Sequence, residues 1–396
     1  MLEPRAELLT APADAKPAAA DVARASADVA RAHGDETHAT VGGTRTTADA
    51  AAWPFVSIVI PCFNEERFIG EVLARLAAQY EPARAEIIVV DGGSTDGTRA
   101  IVADAAARLD GVPVRLIENP ARHIPVALNL GIAAARGEII ARMDAHAAPS
   151  ADYLRRAVEL LGADEQLVVG MPCQIRPAAD TLAARAVAVV VAHPFGIGDA
   201  QYRIAHAGGP RAVDTVPFGV FRKSLWRRLG GFDESLLTNE DYDFNYRVRR
   251  AGGRVLLDTA AHTVYYARPT LAALAAQYWR YGSWKARMLR LHPASLRWRH
   301  AVAPVFVLTL AALAVAGLVR RPAWLLLLAA LGAYALPAFT FAFKAARRAG
   351  DLKLAAPVAA AFFVVHCAWG GGFWRGLFTA RARARAAARK HQRDDA

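Results

Sequence analysis

Two side chains that can bind a metal ion follow an apolar run in the sequence IIARMDAHAAP, residues 139–149. Since side chains two apart on an extended chain share a face, Asp144 and His146 are expected to converge on one object. A hard cation such as Mg²⁺ or Mn²⁺ takes few protein ligands and completes its shell with phosphate oxygens. The pair therefore predicts a metal ion held against a diphosphate, with Arg142 on the same face adding positive charge. The alternatives are a capped strand before a loop and, for His146, a hydrogen bond to phosphate.

A glycine-rich turn, VVDGGSTDGT, occupies residues 89–98. Asp91 ends a predicted buried strand, Gly93 is one of three glycines that allow a ligand to approach the backbone, and Ser94 and Asp96 offer short polar groups. A helix-capping role is the alternative for Asp96. The sequence has neither a G-x-G-x-x-G fingerprint nor a Walker lysine at this turn, which argues against NAD and P-loop nucleotides.

Two adjacent carboxylates, Glu240 and Asp241, begin a predicted helix in the sequence NED. A carboxylate at a helix N-terminus can accept a proton from a nucleophilic hydroxyl, and Asp241 is the favoured acceptor. For Glu240, helix capping is the alternative. The helix is expected over about 240–251, because Thr238 or Asn239 can cap it and arginines fill its last turn.

These residues follow elements that must position them. Over residues 55–144, short apolar runs alternate with stretches of helical spacing, which predicts a parallel sheet covered by helices on both faces. Ligands of such sheets bind at the carboxyl ends of the strands, where Asp91 and Asp144 are expected.

The C-terminal part has the composition of a membrane region. Apolar blocks fill residues 301–319, 323–343 and 354–374, and the first two have the length of a helical hairpin across a bilayer. The course of the third is left open between a third crossing and a re-entrant or interfacial segment, because a third crossing would place the basic tail outside the cell and Gly370–Gly372 make this block the weakest. Residues 271–291 mix aromatic, apolar and basic side chains, as in a helix at a membrane surface.

The composition excludes other classes of protein. The chain has 396 residues, 54% of them hydrophobic, and a net charge of +12. Its arginines cluster beside the apolar blocks and not among aromatic residues of the first half, so a membrane partner is expected and nucleic acid is not. The first fifty residues lack the apolar core of a signal peptide, which predicts a disordered extension and a catalytic part in the cytoplasm.

The motifs together resemble family 2 glycosyltransferases of the GT-A fold, an α/β fold with a Rossmann-like mixed sheet. The resemblance covers about residues 55–290 and rests on the order of SIVIPCFNEE, IIVVDGGSTDGT, RMDAHA, GGFDESLLTNEDYDFNYRVRRAG and QYWRYG. The histidine in RMDAHA and the C-terminal apolar hairpin are most similar to the succinoglycan biosynthesis ExoA-like branch.

The resemblance implies roles for individual residues. Pro61, Asn64 and Glu65 would line the nucleotide pocket, and Asp91 would contact uracil or ribose. Asp144 and His146 match the family's Asp-x-Asp metal motif, and Asp241 matches the general base of inverting members. Gln277, Arg280 and Tyr281 resemble the Gln-x-x-Arg-Trp motif of polymerising members, where they would serve the acceptor or the diphosphate. Tyrosine replaces tryptophan, which argues against processive synthesis.

The expected enzyme is an inverting, metal-dependent hexosyltransferase of exopolysaccharide or other cell-surface polysaccharide synthesis. It would move a sugar, such as glucose from UDP-glucose, to a saccharide on a polyprenyl diphosphate, with assembly-complex partners. It would be a multi-pass protein of the cytoplasmic membrane, with its catalytic domain in the cytoplasm. The expected parts are an extension over 1–52, a catalytic domain over 53–270, an amphipathic interfacial helix over 271–300, a membrane region over 301–374 and a basic cytoplasmic tail over 375–396.

Four other functions stay open. One is a processive polysaccharide synthase, although its product channel would need more apolar spans. Another is a polyprenyl-phosphate sugar transferase, whose product is a lipid-linked monosaccharide phosphate. A non-enzymatic membrane scaffold and a hydrolase with paired carboxylates are less favoured.

Overall fold

The computed structural model describes residues 53–80, 82–109, 111–204 and 207–394, with side chains described through residue 379. The expected extension over 1–52 lies outside the described residues. The backbone of the expected basic tail continues the last helix through Asp394.

The first half of the catalytic region alternates strands and helices, as the sequence predicts. Helix-spaced apolar residues such as Ile69, Leu73 and Leu76 form one buried helix face, and continuous apolar runs form strands buried on both faces. In chain order these elements are β1 (Val56–Cys62), α1 (Ile69–Ala77), β2 (Ala85–Asp91), α2 (Thr98–Arg108), β3 (Val114–Glu118), α3 (Ile124–Ala134) and β4 (Ile139–Arg142).

The second half is less regular. Its elements are β5 (Ala148–Pro149), α4 (Tyr153–Leu161), β6 (Leu167–Gly170), β7 (Cys173–Pro177), α5 (Leu182–Val190), α6 (Pro194–Ile197), α7 (Gln201–Ile204), β8 (Arg211–Ala212), β9 (Val220–Arg222), α8 (Lys223–Arg228), α9 (Glu240–Arg250), β10 (Arg254–Leu257) and β11 (Thr263–Ala267). The helix predicted over about 240–251 is confirmed as α9. Asn239 is its N-cap residue, but the predicted side-chain cap is wrong: Asn239 has φ 71° and makes no capping hydrogen bond.

The main sheet has eight strands in the order β3-β2-β1-β4-β9-β6-β10-β8. Strands β1 to β4 are parallel to one another, as predicted. Strand β9 inserts antiparallel between β4 and β6, which makes the sheet mixed. A second sheet has the order β5-β11-β7. The carboxyl ends of β1, β2 and β4 lie side by side, so the loops that follow them share one edge.

Four helices complete the described chain: α10 (Leu271–Leu291), α11 (Trp298–Val319), α12 (Pro322–Arg348) and α13 (Ala355–Asp394). The surface helix therefore ends at Leu291 and not near 300, because a short 3₁₀ turn over Pro293–Ser295 separates it from α11. Three segments are long and apolar enough to cross a membrane: Trp298–Val319, Pro322–Arg348 and Leu352–Thr379, with mean hydropathy 2.5, 2.0 and 1.6.

The third apolar segment differs from the other two in its packing. Of its apolar window 39% is buried, against 17% and 11% for the first two. Helix α13 runs unbroken through Gly370–Gly372, so the re-entrant interpretation is wrong. A Cβ atom built on Gly372 would lie 2.1 Å from the carbonyl oxygen of Trp279, and the Ser283 hydroxyl donates a 2.9 Å hydrogen bond to the Gly372 carbonyl. Gly372 therefore lets the backbones of α10 and α13 touch.

A short helix of the catalytic region also packs among the apolar helices. Phe195 of α6 has its ring centroid 5.3 Å from that of Phe341 in α12 and 5.0 Å from that of Phe362 in α13. Tyr334 and His366 contact the same ring at 5.7 and 5.3 Å. Aromatic contacts of this kind fix the catalytic region against the apolar helices.

Candidate active site

The loops after β1 and β2 are joined by hydrogen bonds between predicted nucleotide-binding residues. The Asn64 backbone N–H donates to the Ser94 hydroxyl at 2.8 Å, and the Asn64 side-chain oxygen accepts from the Thr95 backbone at 2.8 Å. Asp96 accepts from the backbone N–H groups of Glu66 and Thr98 at 3.2 and 3.0 Å, at the start of α2. The capping interpretation of Asp96 therefore has a geometric basis, and both loops hold one fixed shape.

Asp91 is the last residue of β2 and its side chain is fully buried. Its carboxylate accepts hydrogen bonds from the backbone N–H groups of Gly93 and Ser94, at 3.2 and 3.0 Å. Gly93 has φ 79°, a conformation that disfavours any residue with a Cβ atom. Asp91 thus shapes the turn, and its contact with uracil or ribose stays a prediction, as does that of Pro61 at the end of β1.

Arg142, the last residue of β4, gathers three carboxylates. Its Nη2 atom lies 2.9 Å from Oδ1 of Asp144 and 3.4 Å from Oε1 of Glu240, and its Nη1 atom lies 2.9 Å from Oδ2 of Asp241. The Arg142 side chain is 5% exposed and packs over the Phe218 ring, 5.2 Å from its centroid. One buried guanidinium therefore links the predicted metal motif to the predicted base.

The charges of this cluster are strongly coupled. Burial alone would lower the pKa of Arg142, but the carboxylates of Asp144, Asp241 and Glu240 raise it, so the guanidinium stays charged. Burial raises the pKa of Asp241, and Arg142 opposes that shift. Burial and the Asp241 charge together raise the pKa of Glu240. The side chain of Asp241 is 22% exposed and that of Glu240 is 10% exposed, so Asp241 is the more accessible proton acceptor.

The expected arrangement of Asp144 and His146 on one strand face is wrong. Strand β4 ends at Arg142, and the chain then turns, with the Ala147 N–H donating to the Asp144 carbonyl at 3.1 Å. The His146 Nδ1 atom instead lies 2.9 Å from Oε1 of Glu65. A predicted nucleotide-pocket residue and a predicted metal ligand therefore meet across the loops of β1 and β4.

The donor atoms fit a metal ion that arrives with a nucleotide. Within the described residues, no group of three or more histidine, cysteine or acidic side chains stands ready to hold a metal. Asp144 and His146 have side chains 25% and 49% exposed, so both reach the open edge of the sheet. Two protein ligands are sufficient for a hard cation whose shell includes phosphate oxygens.

Backbone strain is concentrated around the same edge. Among the described residues, the non-glycine residues with positive φ are Asn64, Arg122, Phe218 and Asn239. Asn64 precedes Glu65, Phe218 packs against Arg142 and Asn239 precedes Glu240, while the Arg122 guanidinium lies beside Gly93. Strained conformations of this kind persist where the surrounding structure over-determines them, as in active sites.

The three predicted residues of α10 divide into two groups. Gln277 is buried, and its amide donates to the hydroxyls of Tyr265 and Tyr281, each at 3.0 Å. Burial raises the pKa of Tyr281, so its hydroxyl stays protonated. Arg280 is partly exposed and contributes none of these bonds. Gln277 thus joins α10 to β11, while the tyrosine that replaces tryptophan bonds within α10.

Some site residues were missed from the sequence. The positive φ of Phe218 is invisible in a sequence, and its ring position depends on β9 lying beside β4. Glu65 was expected to line the nucleotide pocket, but its contact with His146 was not predicted. Arg203 of α7, which lies beside Tyr265 of β11, belongs to no recognised sequence motif.

Comparison with known proteins agrees with this geometry. Residues 57–229 match the family described as glycosyl transferase family 2. The succinoglycan biosynthesis protein ExoA of Rhizobium meliloti (strain 1021) is 30% identical over 332 residues, which cover 82% of this chain and 96% of that protein. A dolichyl N-acetyl-alpha-D-glucosaminyl phosphate 3-beta-D-2,3-diacetamido-2,3-dideoxy-beta-D-glucuronosyltransferase of Methanococcus voltae is 26% identical, covering 64% of this chain and 80% of that protein.

A solved structure shares the architecture. The mannosyltransferase PcManGT from Pyrobaculum calidifontis, in complex with GDP-Man and Mn²⁺, superposes with a TM-score of 0.54 at 25% identity, covering 80% of this chain and 88% of that one. The chain therefore belongs to glycosyl transferase family 2 and is a glycosyltransferase with the GT-A fold.

Proposed function

We propose that the enzyme transfers a sugar, with inversion, from a UDP-sugar such as UDP-glucose to a saccharide carried on a polyprenyl diphosphate. The observation that carries this proposal is the contact of one guanidinium, that of Arg142, with both Asp144 and Asp241. A single displacement needs the proton acceptor and the leaving-group site in a fixed relative position, and one guanidinium that contacts both carboxylates supports such a position.

The donor side is built from the loops of β1, β2 and β4. The nucleoside would lie against one surface formed by the hydrogen-bonded loops after β1 and β2. The residues that form or border this surface are Asn64, Glu65, Asp91, Gly93, Ser94 and Asp96. Asp144 and His146 would hold Mg²⁺ or Mn²⁺, consistent with the Mn²⁺ in the complex of the Pyrobaculum relative. The bound metal would supply Lewis-acid neutralisation of the departing nucleoside diphosphate.

Asp241 serves as the general base. Its carboxylate accepts the proton of the acceptor hydroxyl, whose oxygen forms a bond to the anomeric carbon. The bond from that carbon to the diphosphate oxygen breaks, and its electron pair leaves with the nucleoside diphosphate. Inversion follows from one displacement, so an α-linked donor gives a β-linked product. Glu240, more deeply buried, assists by holding Arg142 in place.

The acceptor side faces α10 and the apolar helices. Gln277, Arg280 and Tyr281 would lie near the acceptor or the diphosphate, at the end of the site closest to the membrane region. The Methanococcus relative is named for a lipid-phosphate acceptor and the Rhizobium relative for succinoglycan biosynthesis, which supports a role in cell-surface polysaccharide synthesis. The enzyme would be a multi-pass protein of the cytoplasmic membrane with its site facing the cytoplasm.

Transfer of radiolabelled sugar from a panel of nucleotide sugars to a membrane lipid extract tests the proposal. The assay compares Mn²⁺, Mg²⁺ and EDTA, and wild type with Asp144→Ala. Metal-dependent label in a lipid-linked oligosaccharide is the expected result. Label only in a lipid monosaccharide phosphate would instead identify a polyprenyl-phosphate sugar transferase. A long polymer would identify a processive synthase. No label with any donor, from a folded protein and a competent acceptor pool, would contradict the proposal.

A further inference from the structure

A half-buried arginine outside the motifs lies beside the tyrosines of the acceptor end of the site. Arg203 belongs to α7, and its guanidinium carbon lies 5.2 Å from the ring centroid of Tyr265 and 5.6 Å from that of Tyr202. Tyr278 and Tyr281 of α10 also interact with it electrostatically. We call Tyr202, Tyr265, Tyr278 and Tyr281 the tyrosine box.

Arg203 differs from Arg142, the buried arginine of the site, in its partners among the described residues. Arg142 contacts three carboxylates, whereas no carboxylate of the described residues forms an ion pair with Arg203. The Nε atom of Arg203 is buried and has no hydrogen-bond acceptor within the same described part of the chain. The guanidinium keeps its charge at neutral pH, as arginine does throughout proteins.

A partly buried charge that lacks an ion pair costs free energy, because its desolvation is not offset by an opposite charge. The tyrosine rings offset part of that cost through cation–π contact. They do not supply a counter-charge. The arrangement is therefore suited to an anion that arrives with a ligand.

The tyrosine box connects this arginine to the candidate active site. Tyr265 and Tyr281 both accept hydrogen bonds from Gln277, at 3.0 Å each. Tyr202 and Tyr265 pack against the hydrophobic cluster that contains Cys173, Met143 and Ala145, and the last two flank Asp144 in the chain. Arg203 thus contacts Tyr265 of β11, the residue that Gln277 links to α10.

We propose that Arg203 and the tyrosine box bind a phosphoryl group of a substrate, with the lipid diphosphate of the acceptor as its source. The inference rests on the proposed function and names the residue that receives the acceptor's anionic head. A guanidinium offers two parallel N–H donors that match phosphate oxygens, and tyrosine hydroxyls can add further donors. The donor's diphosphate has the same chemistry and is the competing source.

The experiment measures steady-state kinetics of full-length protein in detergent for wild type, Arg203→Met and Arg203→Lys. Arg254→Met is the control, because Arg254 is an exposed arginine whose side chain is 63% accessible and pairs with Asp164. We expect Arg203→Met to raise the KM for the lipid-linked acceptor roughly tenfold or more, the loss of a charge-assisted hydrogen bond. The KM for the nucleotide sugar should stay unchanged, and Arg203→Lys should recover part of the loss.

The results separate the two phosphate sources. A rise confined to the KM for the nucleotide sugar would assign the anion to the donor and overturn the acceptor assignment. Unchanged KM values for both substrates in folded Arg203→Met would overturn the phosphate site altogether.

A binding measurement keeps the inference testable without transfer activity. Inorganic pyrophosphate, added with EDTA, should raise the melting temperature of wild type and of Arg254→Met more than that of Arg203→Lys. Equal shifts in all three would contradict an anion site at Arg203, whatever the transfer assay shows. If wild type binds pyrophosphate through Arg203 but transfers no sugar, the proposed function fails and the anion site stands.

Discussion

The Nη1 atom of Arg142 lies 2.9 Å from Oδ2 of Asp241, joining the end of strand β4 to the first turn of helix α9. The other terminal nitrogen of the same guanidinium lies 2.9 Å from Oδ1 of Asp144. A planar fork can hold two carboxylates at once in fixed directions, which a lysine ammonium cannot do. Arg142 therefore positions the proposed base relative to the proposed metal ligand.

Replacing Arg142 with lysine should separate the positive charge of this side chain from its positioning of Asp144 and Asp241. The charge would remain, but one ammonium cannot bridge both carboxylates, so we expect kcat to fall by about 10²-fold through misplacement of the reacting groups. The KM for nucleotide sugar should change less. Arg254→Lys is the matched control at an exposed ion pair. A kcat within twofold of wild type would show that Arg142 does not position Asp241.

His146→Asp should keep substantial transfer activity and change the metal preference. A carboxylate is a harder ligand than an imidazole, so the ratio of activity with Mg²⁺ to activity with Mn²⁺ should rise. Asp144→Ala should lose activity with both ions. The measurement is a metal titration of initial rates for the three proteins. An unchanged ratio in His146→Asp would argue that His146 does not bind the metal.

Helix α9 and the sheet edge could be predicted because their signals are local. Alternating strands and helices placed Asp91 at the end of β2, and acids followed by arginines placed Asp241 at a helix start. The contact of Glu65 with His146 could not be predicted, because it needs the turn after β4 and the adjacency of β1 and β4.

The packing of α13 against its neighbouring helices also could not be predicted from the sequence. The glycines at 370–372 weakened the expectation of a membrane-spanning helix, since glycine has low helix propensity. In the structure Gly371 and Gly372 permit contact of α13 with α10, and Gly370 permits contact with α11, so packing outweighs the propensity.

A glycine at this contact provides a stability test. Gly372→Ala would place a methyl group against the Trp279 carbonyl, at 2.1 Å before relaxation, so α10 and α13 must separate. We expect a loss of about 1–3 kcal/mol in the free energy of unfolding, the cost of overpacking. Gly332→Ala is the control, because its Cβ atom would meet nothing within 4 Å. Equal melting temperatures of both variants in detergent would contradict the close packing.

Glu86 provides a pH test in the sheet. Its fully buried carboxylate accepts from the Ser57 hydroxyl at 2.6 Å and from the Arg136 backbone at 2.7 Å, and pairs with Arg115 at 3.0 Å. Burial would raise the pKa of Glu86, but the Ser57 hydrogen bond, with those from Arg136 and the charge of Arg115, lowers it overall.

A lowered folded-state pKa stabilises the protein fully above the ordinary glutamate value, about 4.3. That contribution is lost as the pH falls through the lowered value. Glu86→Gln should therefore cost about 1–3 kcal/mol at pH 7. The gap to wild type should shrink as the pH falls below about 4. Thermal unfolding of both proteins across pH 3–7 measures the gap, and a gap independent of pH would contradict this account.

The most direct test of the account is the single-turnover rate of sugar transfer by Asp241→Asn, measured beside its binding of the nucleotide sugar. Asparagine keeps the shape of the side chain but cannot accept the acceptor's proton, so the rate should fall by about 10²- to 10⁴-fold while the donor Kd stays near that of wild type. Asp104→Asn, at an exposed ion pair with Arg108 on α2, is the matched control and should transfer normally. A transfer rate in Asp241→Asn close to that of wild type would contradict the assignment of Asp241 as the base.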